Sequence, residues 1–171
     1  MSKRAAMWPT ALSADKDFAK LGPMEQLLFM KLWLSSHLDY AGFHALQISK
    51  WARGFTPEAT EDEMRQIVAD LERRKWIAVD YDTEEVLVVP FIRLDAAKQP
   101  QIYVAACRAI QAAQSSGLRG RAWEQILIVH PPRVKHDKDK FPDPGNRREV
   151  MQQQAYEELR DFMESGGWCG S

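Results

Sequence analysis

Residues 60–92, TEDEMRQIVADLERRKWIAVDYDTEEVLVVPFI, decide the fold. Thr60 suits the cap of a helix: its hydroxyl accepts from the amide three residues on, while Glu63 reaches back to the Thr60 amide. Glu58, Glu61, Asp62 and Glu63 put negative charge at the positive end of the helix dipole. Met64, Ile67, Val68 and Leu71 recur at helical spacing and predict one buried stripe. Arg73, Arg74 and Lys75 suit the closing turn. Directly behind them, 76–80 and 85–92 are runs rich in β-branched residues, and 80–84 supplies the turn between them. The stretch therefore predicts a capped helix followed by a β-hairpin.

Working outward, the upstream chain predicts a first helix capped by Asp15 or Asp17 and running to about Ser36, interrupted at Gly22-Pro23. Its apolar residues, among them Met24, Leu27, Leu28, Phe29, Met30, Leu32, Trp33 and Leu34, surround the axis. Such a helix is expected to be buried on every side. Either the helices of 100–129 cover its outer side or a twofold partner does, the homodimer being the favoured version. A turn at 39–42, a short strand at 43–46 and a two-turn helix at 48–55 follow, with Trp51 and Ala52 inward.

Downstream, Ile102, Ala105, Ala106, Ala109, Ile110 and Ala113 form one apolar stripe that ends at 115–117. A second helix covers 118–129 and stops before Pro131-Pro132. Residues 131–146 read as a basic, proline-rich linker, and 147–164 as a last helix followed by a tail. The fold class expected is α+β and mainly helical. It has an N-terminal arm (1–14), a winged helix-turn-helix core (15–95), a helical extension (96–130), the linker (131–146) and a C-terminal helix with its tail (147–171).

Helix, short strand, short helix, capped helix and hairpin is the element order of a winged helix, in which the third helix enters the DNA major groove. The chain resembles the small winged-helix, replication-initiation-like proteins of actinobacterial phages. The likeness is carried by Trp8, Asp17-Phe18, Leu21, the segment 26–32 (QLLFMKL), Ala41-Gly42 and Leu71-Glu72. It continues through 76–80 (WIAVD), 82–88 (DTEEVLV), 91–95 (FIRLD), Ser115 and Leu118-Arg119. It spans roughly residues 8–130 and leaves the last forty or so outside. It implies DNA binding, at a phage origin or operator, and so a role in replication initiation or transcription regulation.

A net charge of −1 hides strong segregation: +3 over 1–54, −6 over 55–90, +6 over 91–148 and −4 over 149–171. The basic blocks suit phosphate and the acidic block does not. The absence of a long apolar run excludes an ordinary transmembrane helix, so no membrane partner is expected. No secretory signal is read at the start, and two cysteines make no disulfide framework, which points to a cytoplasmic chain. The four histidines and two cysteines lack metal-ligand spacing, and no phosphate loop or nucleophile motif is present. Neither an enzyme nor a cofactor is expected.

With Met64, Ile67, Val68 and Leu71 inward, the capped helix turns Asp62, Arg65, Gln66, Ala69 and Arg73 outward. Arg reads guanine and Gln reads adenine by paired hydrogen bonds, so Arg65, Gln66 and Arg73 are the expected readers of double-stranded DNA. Lys50 and Arg53 on the preceding helix are the expected neighbours on the backbone, with Lys135, Lys138, Lys140, Arg147 and Arg148 adding affinity for any sequence. The hairpin turn is acidic. Asp82, Glu84 and Glu85 would repel phosphate and suggest a second reading, docking on a replication or transcription protein. Trp8 and Trp168, near the two ends, are expected to be exposed anchors for such a partner.

Overall fold

The computed structural model describes residues 7–129 and 147–167. Two single-turn helices, α1 (Thr10–Ser13) and α2 (Lys16–Ala19), lead into α3 (Pro23–Trp33). The Asp15 carboxylate accepts from the Asp17 and Phe18 amides and starts α2. At the next start, Pro23 occupies the first helical position and Glu25 accepts from the Gly22 amide. The expected first helix is thus two helices separated at 20–22, and the second ends at Trp33, short of Ser36.

After a turn come β1 (Phe43–Ala45), α4 (Ile48–Arg53), α5 (Glu61–Arg73), β2 (Ile77–Asp80) and β3 (Glu85–Val88). The capping box at α5 forms as the sequence predicts: Glu63 N–H donates to Thr60 Oγ1 at 3.2 Å, and Thr60 N–H donates to Glu63 Oε2 at 2.7 Å. Met64, Val68 and Leu71 are fully buried, and Ile67 is half-buried. The second hairpin strand stops at Val88 rather than Ile92. Pro90 has no N–H to continue a ladder, and Phe91–Leu94 turns instead into a one-turn helix, α6.

The three strands pair antiparallel in the order β1-β3-β2. Ile77 faces Val88, Ala78 faces Leu87 and Val79 faces Val86, while Phe43 pairs with Leu87 on the other side. The two-residue period sends Val86 and Val88 to one face and Leu87 to the other. Val86, Val88 and Ile77 join a core with Leu28, Phe29, Trp33 and the buried face of α5. Leu87 and Phe43 join a second core built from α7 (Pro100–Ala112), α8 (Ser116–Val129) and α9 (Arg147–Phe162). The result is α+β and mainly helical, with a small sheet between two helical layers.

The turn before β1 rests on Asp39, whose Oδ1 accepts from the Ala41 and Phe43 amides. Gly42 sits there at φ +92°, and a Cβ at this position would meet the Phe91 Cβ at 2.8 Å. Only glycine fits both the backbone and the space.

Two expectations about packing are corrected. Within one chain α3 is buried on one side only: Leu28, Phe29, Leu32 and Trp33 are inside, and Met24, Leu27, Met30 and Leu34 are exposed, the side that a twofold partner would have to cover. The helices of 100–129 do not cover that side, because they pack on the opposite face of the sheet. Trp8 is not an exposed indole. Its ring lies 5.5 Å from Phe18 and 6.1 Å from Trp33, and its Nε1 donates to Ser13 Oγ. The N-terminal arm is therefore packed from residue 8 onward, beneath α3.

Candidate nucleic-acid interface

The α5 helix owes its exposed face to the same 3.6-residue period that buries Met64, Val68 and Leu71. Asp62, Arg65, Gln66, Ala69 and Arg73 are all exposed, as the wheel predicts. Arg65 and Arg73 lie eight residues apart, about 12 Å along the axis.

Arg65, Gln66 and Arg73 are each held by a neighbour on the same helix. Arg65 Nη2 donates to Glu61 Oε2 at 3.1 Å, and Arg73 Nη2 to Asp70 Oδ1 at 2.6 Å. Gln66 Nε2 donates to Asp70 Oδ2 at 3.2 Å. The hydrogen bonds from Arg73 and Gln66 hold the Asp70 carboxyl below the usual range. A hydrogen bond from Ser49 lowers the Glu61 carboxyl, and Arg65 and Arg53 assist. Solvent-exposed pairs of this spacing add little to stability, so a base edge or phosphate can displace the carboxylates.

Lys50 and Arg53 are exposed on α4, and the influence of Arg53 on Glu61 places α4 beside the start of α5. The structure thus brings Arg53, Glu61 and Arg65 together. Arg147 and Arg148 are exposed at the start of α9, in the layer across the sheet. They do not extend the α5 surface. Lys135, Lys138, Lys140 and Trp168 lie outside the described residues.

The hairpin turn is fastened by side-chain hydrogen bonds: Asp80 Oδ1 accepts from the Asp82 and Thr83 amides, and Glu84 takes a left-handed backbone at φ +53°. Asp82 and Glu84 are exposed, as expected of an acidic turn. Glu85 is not. It is half-buried, and its two carboxylate oxygens accept from the Gln114 and Ser115 amides at 3.2 and 2.7 Å. Its role is to fasten the hairpin to the approach of α8.

The sequence pattern gave no sign of Tyr81. It is 57% exposed at the turn and lies within electrostatic reach of Glu72 and Arg65. An aromatic ring thus stands beside the α5 face, a placement that no local pattern announces.

The chain matches no protein-family model, no curated protein and no solved structure.

Other groups with chemical potential are built into the packing. His44 is buried, with Nδ1–H donating to the Ala45 carbonyl at 2.6 Å, which leaves Nε2 to accept from the Ser35 hydroxyl at 3.0 Å. Burial pushes the Cys107 thiol up to about 12, so it stays a neutral thiol. Among the described residues no three His, Cys, Asp or Glu side chains gather as a metal site, and no helix is long and apolar enough to cross a membrane.

Proposed function

We propose that residues 15–95 form a winged helix that binds double-stranded DNA through α5, in a phage-type replication-initiation or regulatory role. The observation that carries this reading is the exposed row Arg65, Gln66 and Arg73 on a capped, rigidly packed helix. It is supported by Lys50 and Arg53 beside it, by the order of elements, and by the family resemblance in the sequence. Lys135, Lys138 and Lys140 would add affinity for any sequence. The test is anisotropy with duplex DNA of random and selected sequence, measured across salt. Replacing Arg65 and Arg73 with Ala should erase sequence preference. Replacing Lys135, Lys138 and Lys140 should weaken all sequences alike, whereas Arg147 and Arg148, across the sheet from α5, should have little effect. Loss of the three lysines should also flatten the log–log salt slope by about 0.9 for each phosphate no longer neutralised.

A second reading, a protein-docking module, is favoured by Asp82 and Glu84, exposed on the hairpin where a DNA-gripping wing would be basic. Converting both to Lys separates the two. On the first reading, non-specific DNA binding becomes stronger. On the second, DNA binding is absent in both forms and association with a replication or transcription protein is lost.

A further inference from the structure

β2 is an outer strand of the sheet, and its free side opens into a trench. The larger section, about 980 Å³, runs between Glu72 and Lys75, at and just past the end of α5, and the stretch from Ser115 to Gln125 that opens and forms most of α8. A second section, about 430 Å³, continues it past the end of α2 and α6. Lys75, Val89 and Gln125 line both, so the two are one channel along the β2 edge.

Three observations bear on its occupant. The first is the strand edge, which offers backbone groups to a further strand. On this edge the Val79 N–H donates to Glu72 Oε1 at 3.0 Å, a side-chain contact that an incoming carbonyl can replace. The second is charge. One end carries Arg74, Lys75 and Arg93 beside a Lys20–Asp17 pair at 2.7 Å and the capping Asp15, and is net positive. The other end carries Glu72, Asp80 and Asp82 and is net negative, while Glu124, nearer the junction, lies against Arg121 at 3.6 Å. The third is Gln125, only 9% exposed at the junction of the two sections. Its amide oxygen is buried without a hydrogen-bond partner among the described residues. A buried acceptor left unpaired is unfavourable, and a peptide N–H arriving in the trench meets that need after rotation of the amide.

We propose that this trench binds an extended peptide of a partner protein, which adds to β2 as a fourth, antiparallel strand. β2 runs from the basic end at Lys75 to the acidic end at Asp80 and Asp82. An antiparallel guest starts at the acidic end, so its first residues are basic and its last are acidic. Antiparallel pairing is the more stable of the two ladders, and added strands of this kind take affinity from backbone hydrogen bonds and selectivity from flanking side chains. The trench adjoins the α5 face at Glu72 and Tyr81, but Arg65, Gln66 and Arg73 do not line it, so the proposal does not depend on DNA binding.

The test uses the full chain with two fluorescein-labelled heptapeptides, KKVTVEE and its reverse EEVTVKK. Anisotropy gives affinity, and backbone amide shifts give the site. KKVTVEE should bind saturably and shift the amides of Ile77 and Val79. EEVTVKK should bind at least about tenfold more weakly, because it sets like charges against like. Gln125→Leu should weaken KKVTVEE by about tenfold, as expected for removal of one hydrogen bond, without lowering the melting temperature. Arg93→Glu changes an exposed side chain and should weaken KKVTVEE with the fold intact. No saturable binding by about 1 mM overturns the proposal. So does equal binding of the two peptides, or indifference to both substitutions. If duplex DNA shifts the trench amides and KKVTVEE does not, the trench is a nucleic-acid surface and the proposal is wrong.

Discussion

At the scale of single residues, Glu85 shows how a local reading goes astray. In the sequence it is one of several acids on a hairpin, and solvent is the ordinary place for them. In the fold, its carboxylate joins residues about thirty positions apart by accepting from Gln114 and Ser115. Glu85→Ala should therefore destabilise by about 0.5–2 kcal/mol, the range for removing a capping side chain, whereas Asp82→Ala should change stability little. Urea denaturation of the two variants checks this. Trp8 departs from expectation for a similar reason: position near the start says nothing about the rings of Phe18, Phe29 and Trp33 that receive it. His44 carries a pH dependence of definite sign. Burial holds its pKa below the ordinary 6.5, so the unfolded chain binds the proton more readily. Stability contributed by neutral His44 is complete above that value and falls as pH drops below it towards the folded-state pKa. Melting temperatures between pH 7.5 and 5.5 should decline, and His44→Gln should flatten the decline.

At the scale of elements, what could be read from the sequence is what is local. Thr60 and Glu63 lie three residues apart and satisfy each other's backbone, so α5 begins where the pattern says. Its buried stripe follows from a period that needs no knowledge of the partner. The hairpin was legible for the same reason, and its strand end at Val88 was marked by Pro90 all along. The face of α3 was not legible. Counting apolar residues around an axis does not reveal which sides have a neighbour, and α7, α8 and α9 went to the other face of the sheet. The outward placement of Arg65, Gln66 and Arg73 follows from the wheel, but their pairing with Glu61 and Asp70 does not. Two substitutions test the elements. Leu71→Ala, at a side chain with no exposure, should lower stability by about 2–5 kcal/mol. Gly42→Ala should destabilise by at least about 1 kcal/mol, because both its φ of +92° and the Phe91 contact oppose a methyl group. Thermal or urea melts measure both.

At the scale of the whole molecule, the exposed Met24, Leu27, Met30 and Leu34 form one apolar side of α3. A homodimer through this side predicts a doubled mass at tens of micromolar by light scattering, reversed to a single chain by Leu27→Glu with Met30→Glu. A single-chain mass throughout would leave this side to solvent. The sheet sets a separate condition on every experiment that divides the chain. β3 is a party wall: Val86 and Val88 furnish one room and Leu87 the other. A chain cut after Asp95 would keep the wall but lose the second room, leaving Leu87, Phe43 and Ile92 facing water. The N-terminal half is therefore not a detachable unit, and whatever strains one room is felt in the other.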